Sequence, residues 1–220
     1  MASFPIHLSV AIVTSGICAI SLLVSGLVAP SGIAFYFALG ILGGLAPDLD
    51  SNNSTPFRVG CELLSLIAAS LLVFNLGNRF SVVELFFLWL AAFFVLRYGL
   101  FYIFTALTVH RGVFHSIPMA VLFGFLATIT LHRFGGIGSF QSWVAGMFVI
   151  LGYLTHLILD EIYSIDFYGV SIKSSFGTAL KLFAPRSPIA SILLYLALAV
   201  SWKFTPDIQL FLNTFSKIIF

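Results

Sequence analysis

Apolar runs long enough to cross a bilayer recur along this chain, and no other feature constrains its fold as tightly. A hydrocarbon core of about 30 Å needs about 20 apolar residues in helical form, with a working range of about 17 to 25. Seven runs are read: Leu8 to Val28, Ile33 to about Ala46, about Gly60 to Leu76, about Val82 to Phe104, about Ile117 to Leu131, about Ser142 to Leu159, and Ser187-Pro188 to near Trp202-Lys203. A soluble domain carries about 25% charged residues, whereas this chain has 8%, with 60% hydrophobic residues and 25 Phe in 220. Inside lipid the backbone must satisfy its own hydrogen bonds, which selects helices. The expectation is an all-α, polytopic integral membrane bundle of about seven transmembrane helices, forming a single transmembrane domain over residues 1–220.

The breaks between runs are as informative as the runs. The second run is short and stops at Pro47, which holds Asp48 and Asp50 at or just below the membrane surface. Irregular backbone is tolerated there only where protein or a water-filled cavity surrounds it. After the sixth run comes a long loop, residues 161–188, carrying Gly169, Gly177, Lys173, Lys181 and Arg186. A loop of that length in a compact protein is more often functional than a bare connector. In the tail, residues 205–220, Ile208, Phe211, Leu212, Phe215, Ile218 and Ile219 recur at helical spacing after Thr205-Pro206, which predicts an interfacial helix. The net charge of +2 comes from scattered basic residues and excludes a nucleic-acid surface or a polybasic lipid patch. Cys18 and Cys61 read as small buried hydrophobes. The first run, with no Lys or Arg ahead of it and a poor cleavage site at Val28-Ala29-Pro30, reads as an uncleaved span.

Span parity collects the polar residues. If each run crosses once, His7, the Asp48/Asp50 loop, the loop His110-Arg111-Gly112-Val113-Phe114-His115-Ser116, and the pair His156 and Asp160 all emerge on one face. Ionisable groups at membrane depth cost a few kcal/mol or more each and persist where they pair, line a cavity or bind an ion. His156 and Asp160, at i and i+4 on a helix, are about 40° apart and can reach one metal or each other. The competing use is a His–Asp hydrogen bond that orients the ring. His110 and His115 would lie about 140° apart on an ideal helix, so they converge only if the backbone turns at Gly112. Asp48 and Asp50 point the same way only in an extended loop. His7 by itself reads as an interfacial residue, as does the far-face pair His132-Arg133. Arg97, inside the fourth run, is expected to snorkel toward the motif face or to meet an anionic substrate. Arg111 either grips an anionic oxygen bidentately or lies at headgroup level. Imidazoles with carboxylates suit zinc, manganese or iron, and the ligand count allows one ion or two.

The order His7, Ala46-Pro47-Asp48-Leu49-Asp50, His110-Arg111-Gly112-Val113-Phe114-His115-Ser116 and Gly152-Tyr153-Leu154-Thr155-His156-Leu157-Ile158-Leu159-Asp160 resembles the YdjM-like family of predicted membrane-bound metal-dependent hydrolases. The similarity covers about the first 190 residues. It implies an inner-membrane protein whose His and Asp side chains ligate metal, with Asp166-Phe167-Tyr168-Gly169-Val170 packed near the site. Asp50 is followed by Ser51 where some relatives carry His.

The leading expectation is therefore a membrane-embedded hydrolase with a divalent metal, zinc first. It would act on a lipid or lipid-linked phosphoester through a metal-bound water. His7, Asp48, Asp50, His110, His115, His156 and Asp160 are the expected metal set, and Arg111, Asp50 and His115 the expected catalytic set, with Arg111 stabilising developing charge. A transporter or ion-conducting protein using the same residues is the alternative, and a non-catalytic scaffold the third. The expected setting is the inner (plasma) membrane, with the motif face assigned to the cytoplasm on five basic residues against four.

Overall fold

The structure, a computed structural model, describes residues 3–50, 80–107, 113–166, 171–172, 177, 179–185 and 187–219, with scattered positions between 62 and 76. The chain forms two compact units: Met1–Pro47 with Arg111–Phe220, and Asp48–His110. Helices with described bounds are α1 (Phe4–Val24), α2 (Ile33–Leu45), α3 (Val82–Leu107), α4 (Ile117–Arg133), α5 (Ser139–Ile162), α6 (Pro188–Phe204) and α7 (Gln209–Ile219). A minimal antiparallel ribbon, β1 (Ile165–Asp166) and β2 (Ser171–Ile172), accompanies them.

The first unit is organised around α5. This helix packs against α1, α2, α4 and α7, and its buried residues run from Phe140 to Asp160. Its approach to α2 is set by glycine. A Cβ added at Gly152 would collide with the Gly40 carbonyl oxygen and stand 2.7 Å from the Gly44 nitrogen. A Cβ at Gly44 would lie 2.6 Å from that of Ala11 on α1. Small residues of this kind let apolar helices come close enough for dispersion to hold them where lipid supplies no hydrophobic drive. Toward the start of α5, Phe140, Val144, Ala145 and Phe148 pack with Ala19 and Leu22 of α1 and Tyr36 of α2. Phe211 and Phe215 of α7 close this cluster. The outer face of α1 exposes Val13, Ile17 and Ile20, as expected of a helix whose solvent is hydrocarbon.

Two boundaries differ from those read in the sequence. The first helix begins at Phe4, behind Ser3 and with Pro5 in its first turn, and it ends at Val24 rather than Val28. Gly26 adopts φ of 67° and Ser25 Oγ donates to the Leu22 carbonyl at 2.9 Å, so a left-handed glycine stops the helix although the apolar run continues. His7 consequently lies inside α1, not ahead of it. Cys18 is half-buried rather than fully buried, and Cys61 is outside the described residues.

Four helices among the described residues are long and apolar enough to cross a membrane: Phe4–Val24, Pro30–Asp48, Val82–Gly99 and Ser139–Ile162. The second reaches 19 residues because short 3-10 turns extend α2 at both ends. α6 and α7 meet at a bend of 88° and make a fifth if counted together, while α4 is a shorter apolar helix. The expected third run, Gly60 to Leu76, lies mostly outside the described residues, and those described within it, including Glu62 and Ser70, are helical.

In the second unit, Ser81 and Glu84 form a capping box that starts α3. The Ser81 N–H donates to Glu84 Oε2 at 2.8 Å, and the Glu84 N–H reaches Ser81 Oγ at 3.4 Å. Arg97 does not snorkel alone. Its guanidinium meets Glu62 at 2.6 Å, a carboxylate inside the expected third run that an apolar reading passes over. Trp89 Nε1–H donates to Ser70 Oγ at 3.1 Å, a second polar tie between the same two stretches.

The long loop is anchored on its return. Glu161 accepts the N–H groups of Gly177 and, at 3.3 Å, Ala179. The Ile117 N–H donates to the Lys181 carbonyl at 3.1 Å, and the Tyr195 hydroxyl to the Leu182 carbonyl at 2.9 Å. Gly177 and Ala179 are thus tied to the end of α5, Lys181 to the start of α4 and Leu182 to α6. Of Asp166-Phe167-Tyr168-Gly169-Val170, residues 167–170 are outside the described residues.

Candidate metal centre

Four helix ends of the first unit meet at one point. α1 brings His7 from its first turns, α5 brings His156 and Asp160 from its last, and the bent link before α4 brings His115. The end of α2 supplies the Gly44 carbonyl. The three histidines and Asp160 are each at most 3% exposed. The Asp160 carboxylate is the centre of the group. His7 Nε2 lies 3.3 Å from Oδ1, while His115 Nε2 and His156 Nε2 lie 3.5 Å and 3.8 Å from Oδ2. The His7 and His156 rings stack at 3.7 Å between centroids, and His115 meets His156 edge-on at 5.8 Å.

The protonation pattern of His156 follows from its partner. Its Nδ1 is 2.8 Å from the Gly44 carbonyl oxygen. A carbonyl can only accept, so the proton sits on Nδ1, and in the neutral ring Nε2 carries the lone pair turned toward Asp160. That arrangement in a buried site suits a bound cation. Metal-ligating histidines almost always hold their other ring N–H in this way. Among the described residues, neither carboxylate oxygen of Asp160 nor Nδ1 of His7 has a hydrogen-bond partner, although burial of such atoms costs about 1–3 kcal/mol each when left so.

The spacing leaves room for a shared metal. The three nitrogen–oxygen separations, 3.3–3.8 Å, exceed the about 2.7–3.2 Å of an N–H···O bond. Ligand atoms about 2.0–2.1 Å from a tetrahedral zinc lie about 3.3–3.4 Å from one another. His7, His156 and Asp160 offer ligand atoms all within 4.8 Å of each other. The donor set, imidazole nitrogens with one carboxylate, is that of zinc, manganese and iron sites.

Of the residues singled out in the sequence, the structure brings His7, His115, His156 and Asp160 together. His110 and Arg111 are outside the described residues, as is the side chain of Asp50. Asp48 and Asp50 occupy the 3-10 turn that follows α2, at the start of the second unit. His7, read alone as interfacial, is instead buried against His156. His132, half-exposed near the opposite end of α4, donates from Nδ1 to the Ile137 carbonyl at 2.9 Å. Sequence reasoning missed the Gly44 carbonyl, for which the Gly40-x-x-x-Gly44 spacing in an apolar helix was the available signal. It also missed Tyr153, whose hydroxyl donates to the Phe114 carbonyl at 2.6 Å.

A family model described as YdjM inner membrane protein matches residues 1–206. No curated protein and no solved structure matches the chain.

Proposed function

Because the chain belongs to the YdjM inner membrane protein family, we propose that it is a membrane-embedded, metal-dependent hydrolase whose metal is held by His7, His115, His156 and Asp160. The observation that carries the reading is the convergence of three imidazole Nε2 atoms, at 3.3–3.8 Å, on one buried carboxylate. A divalent metal, zinc in the first instance, supplies Lewis acidity there and activates water at neutral pH.

The protein's own contributions follow from the geometry. The Gly44 carbonyl holds His156 in the tautomer that offers Nε2. Asp160 offsets part of the metal charge in a site from which burial excludes bulk water, so electrostatic effects there are larger than in solution. Apolar helices surround the site, so a substrate with an acyl or isoprenoid tail reaches it from the lipid phase. We assign the substrate to the lipid phosphoesters, and Arg111, next to the His115 link in sequence, to its anionic oxygen. In the same reading the chain crosses the membrane seven times, with the motif face cytoplasmic.

Elemental analysis of detergent-purified protein tests this. Wild type is expected to carry about one equivalent of zinc, manganese or iron, and to hydrolyse a short-chain lipid phosphoester. Asp160→Asn and His156→Ala are expected to lose both. Metal-free wild type that stays metal-free in added zinc, or an Asp160→Asn variant that keeps metal and activity, overturns the proposal.

A further inference from the structure

His115 differs from the other members of the site in one respect: no helix carries it. His7 is fixed by α1, and His156 and Asp160 by α5, whereas His115 sits in the link that precedes α4, where Ser116 is extended with φ of −150° and ψ of 150°. The link before it is bent, with the Ser116 N–H donating to the Phe114 carbonyl at 2.9 Å, and a ligand must be held to about 0.5 Å. Such internal bonds shape the link but do not tie it to the helices that carry the other members.

Tyr153 is placed to do so. Its side chain is fully buried, and its hydroxyl donates to the Phe114 carbonyl at 2.6 Å. That carbonyl belongs to the peptide unit whose nitrogen is His115's own, so the hydrogen bond fixes the plane from which His115 departs. Tyr153 is three residues before His156 on α5, hence on the same face one turn away. It ties the link to the helix that carries His156 and Asp160. The other side of His115 is held as well: Ser116 Oγ donates to the Val113 carbonyl, and the Ile117 N–H to the Lys181 carbonyl. The Tyr153 ring rests against Phe123 at 5.5 Å, and Phe123 in turn meets Phe114 at 6.4 Å. A phenyl ring would keep this packing and lose only the hydroxyl.

From this geometry we infer that Tyr153 is a positioning residue for the metal centre, acting through the Phe114–His115 peptide to set where the His115 imidazole lies. The inference rests on the metal reading of the site. Its mechanism is preorganisation: without the hydroxyl, the link samples other orientations, and metal binding must supply the ordering free energy. Groups that orient a ligand in this way typically change metal affinity by about 10–100-fold.

The test is a double-mutant cycle on the full chain in detergent, with zinc affinity measured by chelator competition and cobalt(II) absorption as a signature of ligand geometry. Tyr153→Phe is expected to bind zinc about 10–100-fold more weakly than wild type and to show an altered cobalt spectrum. In a His115→Ala background the same substitution is expected to have no further effect, because the ligand it positions is gone. Thr128→Val removes another buried hydroxyl, the one donating to the Gly124 carbonyl at 2.9 Å, and is expected to leave zinc affinity unchanged, which separates positioning from general loss of stability. Equal zinc affinity in wild type and Tyr153→Phe overturns this inference and leaves the metal reading standing, as does an equal Tyr153→Phe penalty with and without His115. Wild type that takes up no zinc overturns the metal reading and this inference with it.

Discussion

Nδ1 of His156 and the carbonyl oxygen of Gly44 lie 2.8 Å apart, joining the last turns of α5 to the last turn of α2. The contact exists because Gly152 and Gly43 present no side chains where the two helices meet. One hydrogen bond thus links helix packing to the tautomer of a candidate ligand, and the behaviour of the site depends on how closely two apolar helices approach.

The stability of the protein is expected to depend on metal. A ligand that binds only the folded state stabilises it by about 2.7 kcal/mol when present at about 100 times its Kd. Added zinc is therefore expected to raise the unfolding temperature of chelator-stripped protein in detergent, and Asp160→Asn is expected to abolish the rise. An equal rise in both proteins places zinc elsewhere.

Glycine substitutions should divide by packing. Gly152→Ala puts a Cβ against the Gly40 carbonyl; overpacking of this kind costs about 1–3 kcal/mol. Backbone, not a flexible side chain, would have to move, so zinc affinity is expected to fall with stability. Gly99→Ala in α3 meets nothing within 4 Å and is expected to raise stability by about 0.5–1 kcal/mol, because an interior helical glycine is less favourable than alanine. Thermal unfolding of the two variants side by side checks the contrast.

Arg97 and Glu62 are expected to behave as a pair. Replacing either alone with Met leaves an ionisable group without its 2.6 Å partner. Both groups are partly exposed, so the coupling is small, about 0.5–1 kcal/mol. The double Met variant is expected to lose less stability than the two single losses combined, and strict additivity would show that the ion pair contributes nothing.

Glu161 is expected to govern the returning loop without governing the helices. Its carboxylate accepts the N–H groups of Gly177 and Ala179, and charge-assisted bonds of this type are about twice as strong as neutral ones. In Glu161→Gln, amide exchange at residues 177–182 should quicken while α5 keeps its protection. Unchanged exchange there would mean that the Ile117 and Tyr195 contacts hold the segment without help.

By itself the sequence determined the material of the protein. Long apolar runs in a chain with so little charge leave helices as the way to satisfy a backbone in lipid, and the positions of α2, α4, α5 and α6 follow the runs closely. His7, His115, His156 and Asp160, which the structure brings together, were visible as candidates too, since imidazoles and carboxylates are conspicuous against an apolar background. Periodicity and hydropathy could not register the start at Phe4 that places His7 inside α1, the left-handed turn at Gly26 that ends it, or the pairing of Arg97 with Glu62. Only tertiary structure decided that His7 stacks on His156, that Asp160 faces three imidazoles at 3.3–3.8 Å, and that the Gly44 carbonyl meets His156 while the Tyr153 hydroxyl meets the Phe114 carbonyl. A sequence records which side chains can donate and accept. Which atoms face one another is set by the close packing of helices, and a backbone carbonyl, common to every residue, carries no mark in the sequence.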